Sequence, residues 1–199
     1  MTEEQKYTVE RKFPKFEVRR YEACVLADVT VTTDFQSAGS IAFRSLIGYI
    51  SGSNQPNTTI AMTSPVIQES KSGDSSTKIA MTSPVIQESS NDLQVVSFVM
   101  PAGMTLDDLP LPINSEVTLR EMPEQSVAVS RFTGRWTENA YERQLAQLRQ
   151  QLDQNEMTEI GPPRYARFDP PWTPSFLRRN EIQIPIATST QQTGVSGFR

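Results

Sequence analysis

Twice along this chain, the spacing of apolar residues changes from the period of a β-strand to the period of an α-helix. Residues 16–32 are predicted to be continuous strand material, and from Cys24 to Val31 apolar and mixed positions alternate, which is typical of a pleated strand with one strongly buried face. Thr33-Asp34 then offers an N-cap, and residues 35–51 have helical spacing. The second change follows strands predicted at 116–120 and 126–132, where Thr137 caps a helix with an apolar stripe.

Further strands are predicted at 93–100, 165–168 and 181–186, so each half of the chain has strands, one helix and more strands. Two such units can close into one curved antiparallel sheet with a helix covering each half, which is an α+β fold. No linker separates the halves, and we therefore expect a single domain over residues 1–186. Residues 187–199 have too few apolar side chains to pack, and we expect them to form a mobile tail.

An eleven-residue segment, Ile60–Ser70, recurs without change as Ile79–Ser89. The polar residues 71–77, with Gly73 near their middle, lie between the copies. Two β-compatible segments around such a turn predict a hairpin. Two copies are too few for a solenoid. A tandem duplication that merely lengthened a hairpin is the simpler interpretation, and association through the matching strand edges is the alternative.

The composition excludes several kinds of chemistry. The chain has no histidine and a single cysteine, Cys24, so it can build neither a histidine-based catalytic relay nor a Cys/His zinc site, and we expect no metal site of its own. A net charge of -4 argues against nucleic-acid binding. No apolar run reaches the length of a membrane span, and the N-terminus lacks a secretory signal. We therefore expect a cytoplasmic protein, although a chain trimmed of a leader would show the same features.

Several motifs, in order along the chain, resemble those of the SOUL/heme-binding protein family. The motifs are Phe16–Tyr21, Gly48–Asn54, the Ile-Ala-Met-Thr-Ser-Pro-Val segments, Val96–Pro101, Phe132–Thr137 and, as the strongest match, Phe168–Glu181. The resemblance covers residues 7–186, and the doubled segment is similar to a form seen in bacterial members. It implies a distorted antiparallel β-barrel built from two βαββ-like repeats with two flanking helices. It also implies binding of heme or a related tetrapyrrole, and the absence of histidine favours transient binding over permanent cofactor use.

The first predicted helix offers a surface for such a ligand. At helical spacing, one face is formed by Phe35, Ala38, Ala42, Leu46 and Tyr49, and this face should pack on the sheet. Phe43 and Ile47 lie on a shoulder off that face, next to Ser40, and Arg44 lies farther round. Surplus apolar surface rimmed by polar groups is typical of a ligand groove, unless a neighbouring loop covers it. The resemblance implies that this helix lines the tetrapyrrole site, with Phe43 and Ile47 at its apolar positions.

The corner at residues 168–174 is the second candidate wall of the site. Pro170-Pro171 fixes an extended backbone, which would hold Phe168 and Trp172 at defined angles for a planar macrocycle. Structural packing of the same aromatic residues is the alternative. Arg178 and Arg179 could bind carboxylates, but we favour an ion pair between one of them and Glu181 or Asp169.

A strong axial ligand for heme iron is not evident in the sequence. Histidine is unavailable, and Cys24 fits a buried structural thiol better than a ligand. Met62 and Met81 fit core positions better than ligands. We therefore expect apolar capture of the tetrapyrrole without a histidine ligand, in a protein that buffers, carries or hands over its ligand.

Two other functions remain open. One is an enzyme that releases iron from heme, although the sequence identifies no catalytic residues for it. The other is a module that binds a different small effector or another protein, since a fold alone does not determine function. We expect a monomer or a weak homo-oligomer.

Overall fold

The computed structural model describes residues 3–56, 59–60, 63–64, 66–70, 93–135, 137–169 and 172–187. Nine of the strands in these parts form one antiparallel sheet. In chain order they are β1 Tyr7–Lys12, β2 Glu17–Tyr21, β3 Cys24–Thr32, β4 Val66–Ser70, β5 Leu93–Val99, β6 Val117–Met122, β7 Gln125–Thr133, β8 Arg164–Arg167 and β9 Arg179–Pro185. The two α-helices are α1 Phe35–Ile50 and α2 Glu138–Gln154.

The sheet order is β6-β3-β5-β4-β8-β9-β7-β2-β1. Apart from the edge strand β1, each half of the chain supplies two strands, a helix and two more strands. The halves meet where β4 pairs with β8, and the first strand of each half crosses over to pair with the other half. The sheet curls into a half-barrel, which confirms the predicted α+β class with a distorted barrel and two helices.

Both helices begin at the predicted caps. The Asp34 side chain accepts hydrogen bonds from the backbone N–H groups of Gln36 and Ser37 at 2.9 and 3.0 Å. The Thr137 hydroxyl accepts one from the backbone N–H of Ala140 at 3.3 Å. These bonds satisfy N–H groups that have no partner within the first helical turn. Helix α1 packs on β3 and β5, and α2 packs on β7 and β9.

The helices lie on one face of the sheet, but both faces are buried. On the helix-covered face, Ala27 and Val29 of β3 pack under α1, as the alternation predicts. On the other face, Leu26 and Asp28 of the same strand are also buried. The expectation of a single buried face for this strand was therefore wrong, because the curled sheet covers its own second face. The predicted continuous strand material is also interrupted after Tyr21, where β2 ends and β3 begins three residues later.

The predicted hairpin between the two copies of the repeated segment is not formed through β4. This strand pairs with β5 on one edge and with β8 on the other. A strand has only two hydrogen-bonding edges, so residues 66–69 have no edge left for the second copy. That copy, residues 79–89, lies outside the described residues, as do the predicted turn at 71–77 and residues 188–199 of the predicted tail.

Candidate functional site

Helix α1 exposes large apolar side chains on both flanks of the face that packs on the sheet. Ile41 is 51% exposed and Phe43 is 39% exposed. The ring of Phe43 meets the ring of Phe98 from β5 edge-on, with 5.5 Å between the centroids. Ile47 is half-buried and packs against the core beneath the helix. Phe43 and Ile47 therefore form an apolar surface of α1 whose inner edge contacts the sheet and whose outer part faces solvent.

The polar residues predicted on α1 lie beside this surface. Ser40 and Arg44 are both exposed, one turn apart on the helix. The structure thus places Ser40, Phe43, Arg44 and Ile47 along one side of α1. Ile41, three residues before Arg44, was missed by the sequence reasoning. Its signal was available, since it is an apolar residue that falls outside the packing face of the helix.

The predicted second wall, the corner at residues 168–174, does not share, in its described residues, the ring contact with the sheet that supports Phe43 of α1. Phe168 is half-buried, and the Arg179 guanidinium lies over its ring at 3.8 Å from the centroid. Trp172 is 83% exposed. Phe176 and Leu177, which the sequence reasoning did not single out, are also exposed. Among the side chains described, no ring contact joins this corner to Phe43 of α1.

The two arginines after the corner have structural partners. Arg179 forms an ion pair with Glu181 at 3.1 Å, as the sequence interpretation favoured, and its backbone N–H donates to Asp169 at 2.6 Å. The Arg178 Nε donates to the backbone oxygen of Thr173 at 2.7 Å. These bonds hold the corner at residues 168–174 against β9. They also place the Arg179 guanidinium over the ring of Phe168.

Beneath α1, Arg167 of β8 lies in a largely aromatic environment that the sequence did not reveal. Its guanidinium is 5.5 Å from the ring centroid of Phe35 and 5.2 Å from that of Tyr165. Its Nη2 donates to the Gln68 side-chain oxygen at 2.6 Å. Burial lowers the pKa of Arg167 to about 10. A side chain at Gly39 of α1 would collide with Arg167 Nη1, so the guanidinium contacts the helix next to Ser40.

Tyr165 is the centre of this aromatic cluster. Its ring lies 5.1 to 6.0 Å from the rings of Phe35, Phe132 and Tyr141. Its hydroxyl is buried and has no hydrogen-bond partner within the described parts of the chain. Burial raises the pKa of this hydroxyl to about 12, so Tyr165 stays neutral at physiological pH. The cluster fixes the first turn of α1 and of α2 against the sheet.

Cys24 lies on the face of the sheet opposite α1. Its side chain is half-buried and packs against a cluster that includes Leu26 and Met122. Successive residues of a strand point to opposite faces, and Val25 is the residue that faces α1. Cys24 therefore cannot reach a ligand bound on α1, which agrees with the structural interpretation of this thiol. Met62 and Met81 lie outside the described residues.

A separate cleft of about 760 Å³ lies between the turn at residues 13–16 and α2. Its lining is mainly polar and includes Lys15, Arg131 and glutamines 144, 147 and 151. It is also lined by Arg179, but by none of Ser40, Phe43, Arg44, Ile47, Phe168 and Trp172. The apolar surface of α1 and this polar cleft are therefore different features of the molecule.

A family model described as SOUL heme-binding protein matches residues 2–185. The chain belongs to the SOUL family. The family model thus extends over both halves of the half-barrel and includes every residue predicted for the site. Among curated proteins, none matches this SOUL-family chain.

Solved structures share the fold of this SOUL-family chain at low sequence identity. The C-terminal domain of EcmrR gives a TM-score of 0.61 at 13% identity, over 92% of this chain and 98% of that domain. A hydrolase from Listeria innocua gives a TM-score of 0.56 at 11% identity, over 87% of this chain and 92% of the hydrolase. At this identity the likeness shows a common fold only.

Neither helix in the described parts of the chain is both long and apolar enough to cross a lipid bilayer. Those parts also contain no group of three or more acidic or cysteine side chains close enough to hold a metal ion.

Proposed function

We propose that this SOUL-family chain binds heme or a related tetrapyrrole against the exposed apolar surface of α1, without a histidine ligand. The observation that carries the proposal is the exposure of Phe43, one helical turn before the half-buried Ile47 on the same side of α1, with the Phe43 ring supported from below by Phe98. A rigidly supported aromatic ring beside an aliphatic side chain offers a flat macrocycle an apolar contact surface. Family membership supports the tetrapyrrole class of ligand.

The residues of α1 fit this group in kind. Phe43 and the half-buried Ile47 would contact the macrocycle through apolar atoms. The exposed guanidinium of Arg44 would bind a ligand carboxylate, and the Ser40 hydroxyl would add a hydrogen bond. When bound, heme would supply its iron as cargo or as a reactive centre, whereas the protein's residues would hold and orient the ring.

Apolar capture implies a ligand that the protein can release. The sequence contains no histidine, and Cys24 faces away from α1, so neither of these common axial ligands is available on this surface. Binding would then depend mainly on buried apolar area, which supports buffering, transport or hand-over more than permanent cofactor use. Phe168 and Trp172 belong to the proposed site as a second wall.

A hemin titration followed through the Soret band tests the proposal. Burying the exposed 39% of the Phe43 side chain removes about 60–100 Å² from water, which corresponds to about 1.5–2.5 kcal/mol. Phe43→Asp and Ile47→Asp are therefore expected to weaken hemin binding at least about tenfold. Circular dichroism should show that both variants remain folded, since neither side chain is fully buried.

Ile160→Asp is the matched control, because Ile160 is 55% exposed but lies after α2, in the other half of the molecule. It should leave hemin affinity unchanged. Equal loss in all three variants, or no loss in Phe43→Asp, would exclude the α1 surface. Trp172→Ala tests the second wall separately and should also weaken binding; unchanged affinity would remove the corner from the proposed site. Measuring released iron during the titration, with a chelator that binds ferric iron, distinguishes simple binding from the iron-releasing alternative.

A further inference from the structure

Strand β4 occupies the position where the two halves of the sheet meet. Its Ile67 is 1% exposed and packs with Leu26 and Val99 on the face away from the helices. Its Glu69 accepts a hydrogen bond from Arg164 Nε at 2.8 Å. The position therefore requires a particular order of apolar and acidic side chains.

Gln68 of β4 has the most specific environment. Its side-chain nitrogen donates to the backbone oxygen of Phe35 at 3.1 Å and to the side-chain oxygen of Gln94 at 3.0 Å. Its side-chain oxygen accepts from Arg167. A residue of another type could not make all three bonds, so few sequences can fill this position in the sheet.

The chain carries a second sequence that meets every one of these requirements. Ile86, Gln87 and Glu88 repeat Ile67, Gln68 and Glu69 within the identical eleven-residue segment. The identity extends back to Ile79, which repeats the buried core residue Ile60. Exchanging the first copy for the second would therefore preserve every side chain from Ile60 to Ser70.

The connections on either side allow this exchange. With the first copy in the sheet, the links are residues 56–59 and 71–92, of four and 22 residues. With the second copy in the sheet, the links become residues 56–78 and 90–92, of 23 and three residues. Loop-closure entropy depends on the logarithm of loop length, so from this source the populations of the two arrangements differ by less than about a factor of two.

The short link of the exchanged arrangement has suitable turn chemistry. In the structure, Ser70 pairs with Gln94 of β5. In the same register, Ser89 would pair with Gln94 and leave Ser90-Asn91-Asp92-Leu93 as a four-residue hairpin loop. Loops of this length are common between antiparallel strands, and Ser, Asn and Asp are favoured turn residues.

We propose that either copy of the repeated segment can fill the β4 position, so that the protein exchanges between two arrangements of one fold. Both arrangements have the same sheet and the same core. They differ in where the unused copy lies. In one arrangement it follows the β4 strand, and in the other it precedes that strand, next to the end of α1.

Aspartate substitutions in each copy test the proposal. Ile67→Asp and Ile86→Asp should each lower the folding equilibrium constant by less than about tenfold, because the intact copy can take the position. The double variant should lower it by at least about a hundredfold, because a buried carboxylate is then unavoidable. Urea unfolding monitored by circular dichroism measures all three, with Ile160→Asp as the control for an exposed isoleucine.

The proposal is overturned if one single variant is as unstable as the double variant while the other is silent, since only one copy then fits. Amide hydrogen exchange with mass spectrometry gives an independent measurement, because different flanking residues distinguish peptides from the two copies. In Ile67→Asp, residues 85–89 should become as protected as residues 66–70 are in Ile86→Asp. A stable Ile67→Asp protein without protection at 85–89 would also contradict the exchange.

Discussion

The substitution Glu181→Gln tests how far a buried carboxylate stabilises the face of the sheet that no helix covers. Glu181 of β9 is completely buried. It accepts hydrogen bonds from Arg19 Nη1 at 3.0 and 3.1 Å and from Arg179 Nη2 at 3.1 Å. Gln183 adds a bond at 3.3 Å. Glu181 therefore joins β9 to β2, the neighbour of the edge strand, across β7.

The size of the effect follows from the burial of the partners. The Arg19 side chain is 6% exposed and that of Arg179 is 19% exposed, so both guanidinium groups are largely withdrawn from water. Burial by itself disfavours the charged form of Arg19, but Glu181 and neighbouring groups raise its pKa above the ordinary value. Removing one partner of a buried pair typically costs about 3–5 kcal/mol. For a domain of this size, Tm should then fall by about 6–20 °C.

Glu159→Gln is the matched control. Glu159 accepts two hydrogen bonds from Arg149 at 2.9 and 3.0 Å, but the two side chains are 29% and 48% exposed. A solvent-exposed pair with this geometry contributes at most about 1 kcal/mol. Thermal unfolding of both variants at the same pH and salt concentration compares the two pairs directly. Equal losses of stability in both variants would refute the argument from burial.

Two further predictions concern α1 and the thiol. Gly39→Ala should destabilise the protein despite the better helix propensity of alanine, because the new side chain would collide with Arg167. Gly48→Ala should stabilise the protein by about 0.5–1 kcal/mol, because its added carbon would lie 3.7 Å from Ser53 Oγ and collide with no described residue. Urea unfolding measures both, and changes of the same sign would contradict this reasoning. Burial raises the pKa of Cys24 to about 11. The alkylation rate of Cys24 should therefore rise with pH without a plateau up to about pH 9.5. At pH 8 the rate in the folded protein should be about a hundredfold slower than in the unfolded chain. A plateau near the ordinary thiol pKa of about 8.5 would show that Cys24 is not protected by burial.

Local sequence signals predicted the helices well and the strand partners poorly. Asp34 and Thr137 act within one helical turn, so their capping roles can be inferred from neighbouring residues alone. The neighbours of β4 cannot, because β8 lies almost a hundred residues farther along the chain. A hairpin with the adjacent copy was the simplest local choice, and it was wrong because β5 and β8 occupy both edges. Strand β1 was missed because all six of its residues are exposed and show no alternation of burial.

The candidate site was predictable where helical periodicity alone defines it. Ser40, Phe43, Arg44 and Ile47 share a side of α1 as a consequence of their spacing. Arg167 could not be located in this way, since its position beneath α1 depends on the pairing of β8 with β4 and on the absence of a side chain at Gly39. The relation of the corner at 168–174 to α1 remains a prediction, because the spacing of its residues carries no information about distance to the helix.

The face of the sheet that no helix covers is filled by buried ion pairs, which limits where a ligand could bind. In barrels that enclose a ligand, the inward side chains leave a cavity. Here the inward positions are filled by Leu26, Ile67 and the ion pairs of Glu181 and Glu69. Under the proposed function, a tetrapyrrole on α1 would therefore remain on the outer surface, where a receiving protein could touch it directly. Transfer between carriers would then require no opening of the fold, only contact between two surfaces.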